Sequence, residues 1–279
     1  MKKIIAAIDG LKYSAGTVDY AVWLAKQMNA HIVGVLLDDF TYTSYKIYEL
    51  VGQEAPIEEK RMQWDEKDRE KREESAARFE NACQKAGLNY SVHHDRSIAL
   101  QELLHESIYA DLLVVNSRET MTHYEETIPT HFVRSLLSEV QCPVLVVPDK
   151  VKPIEDIVLL YDGAPTSVYA IKTFSYLLPS LKHLDTEVIS VKDLHQSLHV
   201  PDNHLMKEFM KRHFPKAAYT VLKGIPETEI VNRLRGMGRN ALIVLGAYRR
   251  GTVSRWFRAS MADTLLQELR MPLFIAHNK

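Results

Sequence analysis

Four arginines stand among small hydroxyl residues in ALIVLGAYRRGTVSRWFRAS, residues 241–260. An apolar run ends at Gly246, and Arg249, Arg250, Arg255 and Arg258 follow, interspersed with Thr252, Ser254 and Ser260. Guanidinium forks match the geometry of phosphate oxygens. A helix opening between Ser254 and Ser260 would add free N–H groups and the positive end of its dipole, an effect of roughly 0.3–1 kcal/mol. Gly246 lets a backbone come close where the strand ends. The chemistry on offer is capture of a phosphate-bearing ligand. Not all four arginines can converge, because Arg255 and Arg258 lie three apart and face one helix side.

Two aspartates are the other candidates. Asp9 and Asp162 each close a short apolar run and precede a glycine. A carboxylate there can accept from a ribose hydroxyl or an adenine amino group. It can equally make a tight Asp-Gly turn or cap the next helix.

Other constellations carry less. GMGRNA (236–241) has the spacing of a dinucleotide fingerprint. It ends a helical pattern and precedes a strand, the reverse of the order that chemistry needs. Gly236 and Gly238 read instead as a helix stop. HQSLHVPDNH (195–204) holds three histidines, but Pro201 breaks any helix that would align His195 with His199, so a surface loop and no metal is expected. His93 and His94 alternate faces on a strand. Cys83 and Cys142 lack a histidine partner in sequence, and there is neither a G-x-S-x-G elbow nor a Walker loop. Nucleophilic catalysis therefore has no support. Trp256 and Phe257 could stack a base, although core packing suits them better.

The elements that position these residues occur twice. KKIIAAIDG (2–10) resembles EDIVLLYDG (155–163), ADLLVVNSR (110–118) resembles NALIVLGAY (240–248), and QCPVLVVPD (141–149) resembles RMPLFIAHN (270–278). The join falls at PDKVKPIED (148–156), polar with two prolines. The first half reads as strands at 3–8, 31–37, 89–94, 111–116 and 143–147, with helices near 14–28, 59–86, 97–108 and 130–140. The second reads as strands at 157–161, 186–191, 218–222, 241–246 and 272–276, with helices near 166–178, 202–213, 227–237 and 256–269. Continuous apolar strands need cover on both faces, and strand–helix alternation needs parallel strands with right-handed crossovers. The expectation is α/β: two tandem doubly wound five-stranded parallel-sheet domains, 1–150 and 151–279. Ligands should lie beyond the carboxyl ends of the strands, where chain order reverses. The helix over 58–87 is charge-rich and turns Ala76, Phe79, Cys83 and Ala86 inward. Residues 40–58 are rich in aromatics and read as a lid, an interaction surface or a plain excursion.

Composition sets limits. The chain has 279 residues, 46% hydrophobic and 25% charged, which is globular. A net charge of −1 gives no global field toward nucleic acid or membrane. No apolar run reaches the roughly 20 residues that span a bilayer. Two cysteines without a CxxC suggest a reducing, cytoplasmic setting.

At AIDG, LYDG, the fourth-strand loops, and the last strands CPVLVVP and MPLFIAH, the chain resembles the universal stress protein family in a tandem two-domain form. The resemblance covers almost all of the sequence. It implies Rossmann-like domains of the adenine nucleotide alpha hydrolase type. It implies a stress-response binding or regulatory protein, not an enzyme, with a weak ATPase or nucleotide-dependent switch as the alternative. Members that bind ATP carry a glycine, two residues, a glycine, nine residues, then glycine and serine or threonine. Gly246 and Ser260 match the ends of that pattern, with Arg249 and Ala259 in the other glycine positions. In the first half Asn116 stands for the first glycine, and Thr130 and His131 fall at the closing pair. Glu119, Glu125 and Glu126 make that loop acidic, which opposes a triphosphate. The resemblance therefore implies ATP or another adenine nucleotide, with no metal, in the second half only. Asp162 would hold the nucleoside, and Gly246, Arg249, Arg250, Ser254 and Ser260 the phosphates. Asp9 is the degenerate counterpart. Resemblance to dimeric members also implies an intramolecular pseudo-dimer through the last strands of the two halves, and it allows a further homodimer.

Overall fold

The computed structural model describes residues 2–37, 43, 57–95, 98–122, 124–195, 197–246 and 259–277. The first half runs β1 (Lys3–Asp9), α1 (Ala15–Met28), β2 (His31–Leu37), α2 (Ile57–Lys85), β3 (Tyr90–Asp95), α3 (Ala99–Ser107), β4 (Leu112–Asn116), α4 (His131–Glu139) and β5 (Val144–Val147). The second runs β6 (Asp156–Leu160), α5 (Pro165–Leu177), β7 (Asp185–Lys192), α6 (Asn203–His213), β8 (Ala218–Lys223), α7 (Pro226–Gly236), β9 (Ala241–Gly246), α8 (Ala259–Glu268) and β10 (Leu273–Ala276). A 3-10 turn over Pro179–His183, which the periodicity did not announce, follows α5. Of the segment 40–58, only Thr43, Ile57 and Glu58 are described.

Two compact units emerge, Met1–Gln141 and Cys142–Lys279. In the first, β1 pairs in parallel with β2 and β4, and β2 with β3. In the second, β6 pairs in parallel with β7 and β9, β7 with β8, and β9 with β10. The crossovers β1–α1–β2 and β2–α2–β3 step one way along the sheet; those through α3 and α4 step back. Right-handedness then puts α1 and α2 on one face and α3 and α4 on the other. The same reversal separates α5 and α6 from α7 and α8. This is the doubly wound, Rossmann-like architecture. One strand departs from the all-parallel pattern. β5 groups with the second unit and pairs antiparallel with β10, Phe274 opposite Leu145. Both strands are short, apolar and fully buried, so each covers an edge the other would leave open.

Local chemistry explains the helix limits. Ser14 caps α1 by accepting from Thr17 N at 3.2 Å, and Asn29 ends it in a left-handed conformation. Gly87, at φ +66°, follows the end of α2. Of the inward stripe expected on α2, Ala76, Phe79 and Cys83 are buried and Ala86 is half-buried. Burial pushes the Cys83 thiol up to about 12, which keeps it protonated and unreactive. In the second unit Phe174 meets Phe274 edge to face at 5.2 Å, tying α5 to β10.

Gly34 on β2 lies directly beneath the Phe79 ring. A Cβ there would sit 2.6 Å from that ring. Gly34→Ala should therefore cost about 1–3 kcal/mol by overpacking. The double variant Gly34→Ala/Phe79→Leu should lose less than the sum of the two single changes, because the two sites share one contact. Thermal melts of the four proteins check this.

Candidate functional site

The carboxyl ends of the strands differ in the two units. In the first, Asp9 is fully buried and its Oδ1 accepts from Leu11 N (2.8 Å) and Lys12 N (3.1 Å). This is the Asp-Gly turn chemistry weighed above. Ser75 of α2 donates to Gly10 O at 2.8 Å, and the Arg78 guanidinium lies 3.9 Å over the Tyr13 ring. Together these contacts pin the loop between β1 and α1.

The loop after β4 folds back over the same place. Asn116 Nδ2 donates to Ser14 Oγ at 3.0 Å, so the position matched to a glycine is spent on the α1 cap. Lys12 Nζ donates to Thr122 O, joining the two loops. Glu119 is 6% exposed, and its Oε1 accepts from Thr120 N (3.0 Å) and Met121 N (3.3 Å). Burial pushes its carboxyl up to about 8, and the nearby Asp9 charge adds to the rise. Counting nine residues on from Glu119 places Pro129 and Thr130, rather than Thr130 and His131, at the closing pair. Thr130 is the α4 N-cap: it accepts from Val133 N at 3.2 Å and donates to Glu119 O. The next free amide of that helix, His131 N, donates to Glu126 Oε2 at 2.6 Å. The anion at the α4 N-terminus is thus the chain's own carboxylate. Charge patterning had marked Glu119 and Glu126 as repellent; that Glu119 is buried in the loop and that the exposed Glu126 takes an α4 amide was not legible.

In the second unit Asp162 is half-buried and its Oδ1 accepts from Ala164 N at 2.9 Å. Gly246 closes β9, the strand beside β6, so the two stand at neighbouring strand ends. The close approach at Gly246 is made by α5: an added Cβ would lie 2.8 Å from Ser167 N and closer still to the Thr166 carbonyl. The residue is therefore required by helix–sheet packing, whatever else comes near it. Arg249, Arg250 and Ser254, with Trp256 and Phe257, lie outside the described residues. Ser260 falls in the first turn of α8. Tyr161 is buried and its phenol is pushed up to about 12 by that burial, with the Asp202 and Asp162 charges adding. Pro201 packs on Gly163, so the histidine-bearing loop borders the Asp-Gly turn, a placement that sequence spacing did not reveal. His195 and His199 are exposed there. Among the described residues no cluster of three metal-ligating side chains occurs.

His93 pairs with Glu106 at 2.5 Å, and Lys3 holds the other oxygen of that carboxylate at 2.7 Å. That makes it a hydrogen-bond partner of Glu106 at a strand–helix contact. Gly238, at φ +66°, lies in the turn after α7, as expected for a helix stop.

The Universal stress protein family profile matches residues 1–148. No curated protein matches the chain. Among solved structures, a universal stress protein from Archaeoglobus fulgidus is similar at 13% identity and a TM-score of 0.70, covering 99% of this chain and 96% of that one. A protein of unknown function from Pseudomonas aeruginosa is similar at 13% identity and a TM-score of 0.58, over 99% of this chain and 92% of that one. The cytoplasmic domain of a prokaryotic cation chloride cotransporter is similar at 8% identity and 0.52, over 99% and 95%. At such identities these likenesses speak for the fold. Among the described residues no helix is long and apolar enough to cross a membrane.

Two outcomes follow from the site geometry. An acid whose folded pKa is raised contributes stability while protonated, and that contribution is lost as pH rises. For Glu119 the window runs from the ordinary 4.5 to about 8. The melting temperature should fall across it, and Glu119→Gln should flatten the fall, gaining about 2–4 °C at the alkaline end per kcal/mol relieved. Gly246→Ala should lower the melting temperature by pressing α5 off the sheet, at a cost of about 1–3 kcal/mol. Thermal denaturation at several pH values reads both.

Proposed function

The chain belongs to the universal stress protein family, and from that premise we propose that it is a non-enzymatic stress-response binding protein. Its ligand is an adenine nucleotide or a similar phosphate-bearing molecule, taken by the second repeat alone. The repeats we have in mind are 1–150 and 151–279. The observation that carries the reading is the contrast between the two crevices. In the first, the buried Glu119 carboxyl fills the crevice, Glu126 takes an amide at the α4 N-terminus, Lys12 is held by Thr122 O and Asn116 by Ser14. A triphosphate there would have to displace these bonds. In the second, Asp162 and Gly246 stand at neighbouring strand ends, and the sequence continues into Arg249 and Arg250.

In this reading Asp162 accepts from the nucleoside and the arginine loop holds the phosphates. Turnover would need a metal ligand and an oriented water besides. Binding and release, read by a partner protein, is the simpler use of such a site.

Calorimetry of the full chain with ATP, ADP and AMP tests the proposal. Asp162→Ala and the double variant Arg249→Glu/Arg250→Glu should each weaken nucleotide binding at least tenfold, about 1.4 kcal/mol. Glu119→Gln should leave it unchanged. Absence of binding to the wild type, or loss confined to first-repeat variants, would overturn it. Steady phosphate release with magnesium would favour the switch reading over the receptor.

A further inference from the structure

The opposite end of the second unit holds a cavity of about 450 Å³ that the nucleotide reading does not use. It lies at the amino-terminal ends of β6, β9 and β10, where the turns after α7 and α8 meet the segment leading into β6. Its size falls within the range of roughly 300–1,000 Å³ that small-molecule sites occupy. Arg235, Arg239, Arg270 and Lys152 wall it, against a single acid, Glu155.

We propose that this cavity is a second anion site, separate from the crevice, that takes a small phosphate-bearing metabolite. Three features carry the inference. First, the guanidinium groups keep donors in hand. Arg239 reaches Asp156 (2.9 Å) and Asp185 (3.5 Å) through Nη1 alone, and Arg235 reaches Glu268 through Nη2. Each fork has five N–H groups, so both arginines keep further donors. Arg270 lines the cavity and is exposed. Second, the one acid of the wall, Glu155, is held in place: its Oε2 accepts from Asn240 N at 3.2 Å. Third, the wall is built. Asn240 Nδ2 donates to Lys152 O (3.1 Å) and Pro153 O (2.9 Å), and Glu155 N donates to Asn240 O at 3.0 Å. The strand-entry segment is thereby fixed against the turn after α7, so the site does not have to form on binding.

Compensation of helix dipoles accounts for Arg235, in the last turn of α7. It does not account for Arg239 and Arg270, which lie beyond the ends of their helices. Leu234, Pro153 and Met271 supply an apolar ledge for the uncharged body of the ligand. Clustered guanidinium groups favour a phosphate or pyrophosphate head over a lone carboxylate, because they can chelate several oxygens at once.

The test uses the full-length protein and pyrophosphate as the probe, titrated by calorimetry at constant ionic strength. The background is Arg249→Glu/Arg250→Glu, so that the arginine loop cannot contribute. Saturable binding is expected in that background. Arg270→Ala should weaken it about tenfold, Arg270→Glu should abolish it, and Arg270→Lys should restore part of it. Arg270 is exposed, so these variants should keep the wild-type circular dichroism. No saturation up to about 5 mM pyrophosphate, or binding that Arg270→Glu leaves intact, would overturn the proposal. Failure of ATP to bind the wild type would leave it standing, since that result concerns the crevice.

Discussion

A parallel sheet covered on both faces buries its central strands and leaves chiefly their ends in reach of water. That constraint organises this protein. The central strands are continuous apolar runs because helices lie above and below them, and the polar side chains that could meet a ligand gather where the strands stop. It also sets two close helix–sheet approaches. Phe79 rests on Gly34, and the first turn of α5 rests on Gly246. Glycine is present at both because a helix must come down onto the sheet there.

The same architecture has been finished in two ways. In the first unit the loop after β4 brings a carboxyl into the crevice and gives the α4 N-terminus an acid of its own. Burying Glu119 beside Asp9 opposes ionisation, and two backbone N–H groups offset part of that cost. That crevice is thus occupied by internal hydrogen bonds. In the second unit the Asp-Gly turn keeps its shape, with Asp162 bonded to Ala164 N, but the loop bordering it is different: Pro201 packs on Gly163 from the β7–α6 connection. Two copies of one turn thus sit in two chemical settings.

Ion pairs at the outer strands follow a simpler logic. Glu187 receives the Arg233 fork on both oxygens, at 2.9 and 3.0 Å, and a bond from Thr220. Glu106 likewise takes Lys3 on one oxygen and His93 on the other. Burial raises the cost of the Glu106 charge, but the bonds from Lys3 and His93 outweigh it and hold the carboxyl below its usual range. Such half-buried carboxylates keep edge strands and helices in register while the apolar strands supply the bulk of the burial.

Most of the fold was legible in the residues, because its signals are local. Runs such as DLLVV and ALIVL and the repeated Asp-Gly each depend on a few adjacent side chains and mean the same thing wherever they occur. That the last strands of the two halves would meet was expected from their apolar edges; that β5 and β10 pair antiparallel needed the folded chain. So did the roles of Glu119, Glu126 and Gly246. A one-dimensional pattern records that a loop is acidic or that a glycine is present. Whether an acid points outward or folds into its own crevice, and which backbone presses on a glycine, is decided by distances between segments that only tertiary packing brings together.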